Sequence, residues 1–346
     1  MAKRVTLKDI AAKLGYSKNT VSLALRNSPQ IPESTRSKIR QAADEMGYKT
    51  NAVVSHLMAQ LRASQTPRFQ AKLALINANE KKNALTAHPT IPTYVEGCVK
   101  RAEQRGYSFD KFWLHDPELS SDSLVRILKT RNIKGIILVG LMNTSELPEK
   151  FANVWQHFAC VVTGVRTTNP TLSYCCVDHH DLTLQAFDQA LKLGYKRPAL
   201  VVDDYIDLLV ERRFSAGFLI GQGKIPSTDR IAPFFNRQEA KKDLGVFKKW
   251  LQESQPDVIF TLYPSIVSWL EELGYQVPSD IGVIQLEWRA AQPEIAGMHQ
   301  HNNVTGEAIV DMVINQIHNN EHGVPDFPRS TLIGATWIDG QSVKQR

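Results

Sequence analysis

Apolar positions in the first 50 residues recur at helical spacing. Ile10, Ala11 and Leu14 form one stripe, bounded by Thr6, which can cap, and Gly15, which stops a helix. Asp9 stands three residues after Thr6, a shorter version of a capping box. Ser17 can cap a second helix over 18–25 that turns Val21, Ala24 and Leu25 inward. Pro29 and Pro32 break the chain. A third helix over 33–45 follows, with Ile39, Ala42, Ala43 and Met46 inward and Gly47 as its stop.

From residue 71 the pattern changes to short apolar blocks alternating with amphipathic stretches. Strands are predicted over 72–78, 107–114, 135–140, 159–164, 173–178, 198–203, 232–235, 257–263, 281–287 and 329–336. Helices are predicted over 94–105, 121–130, 151–158, 181–193, 213–221, 239–253, 265–273 and 304–319. Strict alternation implies parallel sheets covered on both faces. Some ten strands fit two doubly wound lobes better than one. The fold class expected is therefore a small all-α headpiece plus an α/β body of two parallel-sheet lobes.

Composition adds little to this picture until charge is placed along the chain. The 346 residues are 42% hydrophobic and 22% charged, which excludes a disordered or collagen-like chain. No apolar run approaches the roughly 20 residues that span a bilayer. The basic start MAKRVTLKDI has no apolar stretch behind it and is not a secretory signal, so a cytoplasmic protein with no membrane partner is expected. Of 41 Lys/Arg and 35 Asp/Glu, residues 1–68 hold 12 and 4. The head carries all of the net +6, and the body has slightly more acid than base. A basic head on a near-neutral body points to a polyanion, most simply nucleic acid. Cys98, Cys160, Cys175 and Cys176 show no CxxC spacing and read as reduced, buried thiols.

The Leu14-Gly15-Tyr16-Ser17 connection between two short helices is a helix-turn-helix signature. The first residues of its second helix then face base edges in the major groove. Lys18 can donate to guanine, Asn19 can pair with adenine, and Leu23 can meet a thymine methyl. Thr6, Ser17, Thr20, Ser22 and Thr35 supply hydroxyls suited to phosphate oxygens, and Tyr48 and Asn51 complete that set.

The run VTLKDIAAKLGYSKNTVSLAL…IPESTRSKIRQAADEMGY resembles the headpiece of the lac repressor family of bacterial transcription regulators, filling nearly every motif position. Where the family often has Arg or His, this chain has Leu23. The resemblance implies a headpiece over 1–49 and a hinge helix and linker over 50–70. Leu57 holds the position of the leucine that wedges into the minor groove. In the body, LKLGYKRPALV and LEELGYQVPSDIGVIQLE resemble further family segments. They imply a periplasmic-binding-protein-like body over 71–346. Lobe one is expected over about 71–163 plus 293–322, and lobe two over about 164–292 plus 323–340.

That likeness also implies function: a transcription regulator, expected to be a repressor, acting as a homodimer on a palindromic double-stranded operator. A small polar, carbohydrate-like effector would sit between the lobes, at the carboxyl ends of the strands. Glu287 keeps a carboxylate where the family has Asp, and Arg212 or Arg213 lies near the family's effector-binding Arg. Tyr94, Tyr263, Trp288 and His88 complete the candidate lining. Several usual positions differ: His88-Pro89-Thr90-Ile91 replaces Asn-Pro-Phe-Phe, Gly164 an Asp, and Tyr263-Pro264 an Asn-Asp. A regulator whose cleft senses no sugar is the alternative within the class, and a sugar-processing enzyme the alternative outside it. No metal site is expected, because Asp178 in Asp178-His179-His180-Asp181 reads as a helix cap and His299 and His301 lack a third ligand. No cofactor or enzymatic activity is expected: the chain has no GxGxxG, Walker lysine loop or GxSxG.

Overall fold

A computed structural model describes residues 5–25, 28–48 and 71–346. In the head, α1 (Leu7–Leu14), α2 (Lys18–Leu25) and α3 (Glu33–Glu45) form where the periodicity places them. The Asp9 carboxylate accepts from the backbone N–H and hydroxyl of Thr6, at 2.8 and 2.7 Å, and closes the first turn. Gly15, at φ +71°, ends α1 in the left-handed conformation that lets the chain turn sharply into α2. Ile10, Ala11, Val21, Ala24, Ile39 and Ala43 make the small core.

The body has two sheets. The first contains β1 (Ala71–Asn77), β2 (Tyr107–Trp113), β3 (Gly135–Val139), β4 (Ala159–Thr163), β5 (Ser173–Val177) and β10 (Ser330–Ile333), in the order β10-β5-β4-β3-β1-β2. All its pairings are parallel. The second contains β6 (Pro198–Val201), β7 (Val258–Thr261), β8 (Gly282–Gln285), β9 (Gly297–His299) and β11 (Thr336–Ile338), in the order β11-β9-β8-β7-β6. Only β11 runs antiparallel, against β9.

Helices cover these sheets. They are α4 (Ala84–Ala87), α5 (Ile91–Gln104), α6 (Ser121–Thr130), α7 (Ala152–Trp155), α8 (His179–Lys192), α9 (Asp204–Leu209), α10 (Arg213–Gln222), α11 (Arg237–Lys242), α12 (Leu244–Ser254), α13 (Ser265–Glu272) and α14 (Asn302–His318). Alternate strand residues feed opposite faces. Ile76, Ile136 and Leu138 enter one core of the first lobe, and Leu75, Ile137 and Val139 the other. The second lobe is likewise double-cored. Helices α5 and α14 touch backbone to backbone through Gly97 and Gly306: a Cβ on Gly306 would stand 2.2 Å from the Tyr94 carbonyl oxygen.

Four expectations change. The strand at 232–235 is one isolated bridge, Val201 to Phe234. The helix over 239–253 is broken at Asp243, whose carboxylate caps α12 through the Gly245 N–H at 2.9 Å. The closing strand divides between the sheets as β10 and β11. The lobe boundaries shift with it: β5 and β10 belong to the first sheet and β9 to the second. The chain therefore crosses between lobes near 178, 300 and 334, not at 163, 292 and 322. Hydrogen-bonded pairing decides this, and an apolar block does not disclose its neighbours.

Candidate functional site

The head offers one polar face. Lys18, Asn19 and Ser17 are exposed at the start of α2, while Val21 and Ala24 are buried on the opposite side. Leu23 is half-buried, one turn beyond Asn19 on that outer face. Ser17 caps α2 through the Thr20 N–H at 3.0 Å, and the Ser17 and Thr20 hydroxyls lie 2.8 Å apart. The Thr6 hydroxyl donates to Asp9, so its proton is already directed within the head. Tyr48 packs on the head core, half-buried like Ser22 and Thr35. Asn51 and Leu57, with the whole proposed hinge, lie outside the described residues.

The body holds a cavity of about 760 Å³ between the lobes. The carboxyl ends of both sheets line it, through Gly140 and Gly164 from the first and Tyr263 and Glu287 from the second. Four predicted residues stand on its wall: His88, Tyr94, Tyr263 and Glu287. Its lip is tied down from below. Asn77 Nδ2 donates to the carbonyls of Lys81 and Lys82 at 3.0 and 3.1 Å, and Asn79 Nδ2 to that of Gly140 at 3.1 Å.

Glu287 joins the two lobes. Its Oε1 accepts from the Thr90 hydroxyl at 2.7 Å, and its Oε2 from Arg289 Nη2 at 2.8 Å. His88 Nδ1 accepts from the backbone N–H groups of Thr90 and Ile91, at 3.1 and 3.3 Å. Its ring proton is therefore carried on Nε2. Burial, then the Arg289 and Lys81 charges, hold its pKa below the usual value and keep it neutral. Burial and then the Glu287 carboxylate push the Tyr94 phenol well up, so it stays a neutral hydroxyl.

Tyr263 is fixed from behind. The Arg237 guanidinium lies 3.5 Å from its ring centroid and pairs with the buried Asp203 at 2.9 Å. His179, the first residue of α8, lines the cavity with its ring 4.7 Å from that of Phe214. Its Nδ1 is buried without a partner. Burial and the Arg213 charge lower its pKa to about 3.

Three candidates go elsewhere. Arg212, at φ +61°, turns back to Asp204 at 2.6 Å and Asp207 at 3.5 Å. Arg213 donates to the Tyr174 hydroxyl at 2.7 Å and to Glu211 at 2.9 Å. Neither lines the large cavity, since acidic or hydroxyl partners nearer to each claim it. Trp288 points away, its ring 5.5 Å from that of His299. The arginine on the cleft wall is Arg289, which sequence reasoning missed. Glu287 and Arg289 both line the cavity while Trp288 between them does not, because the chain bends at Leu286 and Glu287 just after β8.

Asp178 caps α8, accepting from the Asp181 N–H at 3.1 Å. Among the described residues no group of three or more His, Cys, Asp or Glu could hold a metal, and no helix is long and apolar enough to cross a membrane. The four cysteines are buried and free. Burial pushes the Cys175 and Cys176 thiols up to about 12, which makes them inert.

Residues 6–51 match the family described as bacterial regulatory proteins, lacI family, and residues 187–343 match the periplasmic binding protein-like domain. The transcriptional regulator CelR of Thermobifida fusca is 21% identical over 328 residues, covering 91% of this chain and 92% of that one. The solved CelR–cellobiose complex superposes with a TM-score of 0.58 at 18% identity, over 98% of this chain and 100% of that one. The lac repressor dimer bound to operator and the anti-inducer ONPF gives 0.57 at 19%, over 99% and 100%.

Proposed function

The chain belongs to the lacI family of bacterial regulatory proteins and is a DNA-binding transcription regulator, and from its two sites we propose how it works. It acts in the cytoplasm as a homodimeric repressor on a palindromic operator. Lys18 and Asn19 read bases, with Leu23 beside them, while the hydroxyls of Ser17, Thr20, Ser22 and Thr35 hold the backbone. Two hinge segments, each with Leu57, would meet in the minor groove between the half-sites. A small polar, carbohydrate-like effector occupies the interlobe cleft. It changes DNA affinity only as far as it binds one lobe arrangement more tightly than another.

The observation that carries this reading is the face of α2: a lysine and an asparagine exposed together on the first turn, opposite a closed helical core. The cleft supports the second half, because the lining at the carboxyl ends of both sheets comes from both lobes. CelR was solved with cellobiose, which favours a carbohydrate-like ligand in a cleft of this kind.

Selection from random DNA with the full chain tests the reading. The expected product is one palindrome with two equal half-sites. Recovery of no motif, or of a single unpaired half-site, contradicts it.

A further inference from the structure

Thr90 occupies the N-cap position of α5, where a threonine hydroxyl ordinarily satisfies its own helix. Here it makes no cap bond. The hydroxyl turns across the cleft and donates to Glu287, a residue 197 positions away on the other lobe. Glu287 is thus held by one donor from each lobe, Thr90 and Arg289.

Arg289 is under-used in this arrangement. Its Nη2 meets one Glu287 oxygen and, at 3.4 Å, the Thr90 hydroxyl. Its Nε is buried and has no partner. A guanidinium offers a flat fork that can grip two oxygens of a carboxylate or phosphate. Glu287 fills only one prong, because its other oxygen is drawn to Thr90. Lys81 and the Nε2–H of His88 add donors on the facing lip. Two other amides of the lining are engaged by backbone: Asn79 Nδ2 bonds the Gly140 carbonyl and Gln300 Nε2 the Leu286 carbonyl. Each Glu287 oxygen already has one donor, whereas the Arg289 Nε has no acceptor, so the unmet demand at this site is for an anion's oxygen.

We propose that Glu287 is a tethered stand-in for the effector's own acid group on Arg289, and that the cleft takes a small carbohydrate-like acid whose carboxylate or phosphate displaces Glu287 from Arg289 and so frees Thr90. This rests on the reading of the cleft as the effector site. It assigns Glu287 the part of competitor, where the sequence suggested a ligand-holding residue. Released from Glu287, Thr90 no longer bridges the lobes, so the incoming anion both binds and unlatches. A self-occupied state reduces apparent affinity by the fraction of molecules left competent.

The experiment uses the full chain and calorimetric titration with D-gluconate, D-glucuronate and D-glucose 6-phosphate, against D-glucose and cellobiose. The carboxylates and the phosphate ester distinguish the two anion chemistries. At least one acid is expected to bind wild type and the neutral sugars are not. Glu287→Gln, and independently Thr90→Ala, should tighten that acid by about tenfold or more, by removing the competitor or its anchor. Arg289→Met should abolish binding. Thr90→Ala removes no cap bond and keeps the test open if Glu287→Gln folds poorly. Binding of a neutral sugar that Glu287→Gln destroys would overturn the proposal while leaving the regulator reading intact. Failure of every acid to bind wild type and both latch variants would also overturn it. Neither result bears on the palindrome selection, which tests the regulator reading separately.

Discussion

Lys18 and Asn19 stand on the first turn of α2 with no packing duty, so truncating them removes contacts and not stability. Lys18→Ala or Asn19→Ala should each relax base preference at one half-site position by about 1–3 kcal/mol, read by repeating the DNA selection on the variants. An unchanged motif from Lys18→Ala would remove its reading role. His179 makes a second prediction. Its pKa is about 3 in the folded chain and near 6.5 in the unfolded one, because burial and Arg213 oppose its charge. The unfolded state therefore binds the extra proton first as pH falls. The stability of the neutral form is complete above pH 6.5 and is lost progressively down to about pH 3. Between pH 7 and pH 5 this site should cost about 2 kcal/mol, measured by urea unfolding, and His179→Asn should flatten that limb. Glu287 was legible as a cleft carboxylate, and Tyr94 and Tyr263 as its neighbours. Arg289 was not, because the expectation rested on a motif position, whereas the bend that follows β8 is what aims the side chain.

At the scale of elements, the head was readable almost residue by residue, because caps, Gly15 and Gly47 are local signals. Most of the body's strands were also readable, although the short β9 was not; their partners were not, since β5, β9 and β10 are sorted by pairing across long sequence distances. Packing of α5 on α14 is equally non-local. It depends on glycines whose need appears only when the other helix is in place. Gly306→Val would drive a side chain into the Tyr94 backbone, 2.2 Å from its Cβ position, and displace a residue of the cleft wall. A loss of about 3 kcal/mol or more is expected by thermal or denaturant unfolding. Gly334→Ala, where no atom lies within 4 Å, is the matched control and should change stability little. Equal behaviour of the two variants would show that the helix contact is looser than described.

For the whole molecule, the uneven charge sets the expected behaviour. Twelve Lys/Arg against four Asp/Glu in residues 1–68 favour a polyanion partner, while the body stays near neutral. A dimer would double that basic surface and align two copies of α2 with two half-sites about one helical turn or a multiple apart. The most direct measurement is anisotropy titration of the full chain with its selected palindrome and a scrambled duplex, across a series of salt concentrations. The account predicts that the palindrome binds at least about a thousandfold more tightly, and that log K falls by roughly 0.9 per phosphate neutralised against log salt. Equal affinity for palindrome and scramble, or an affinity that does not change with salt, would contradict it.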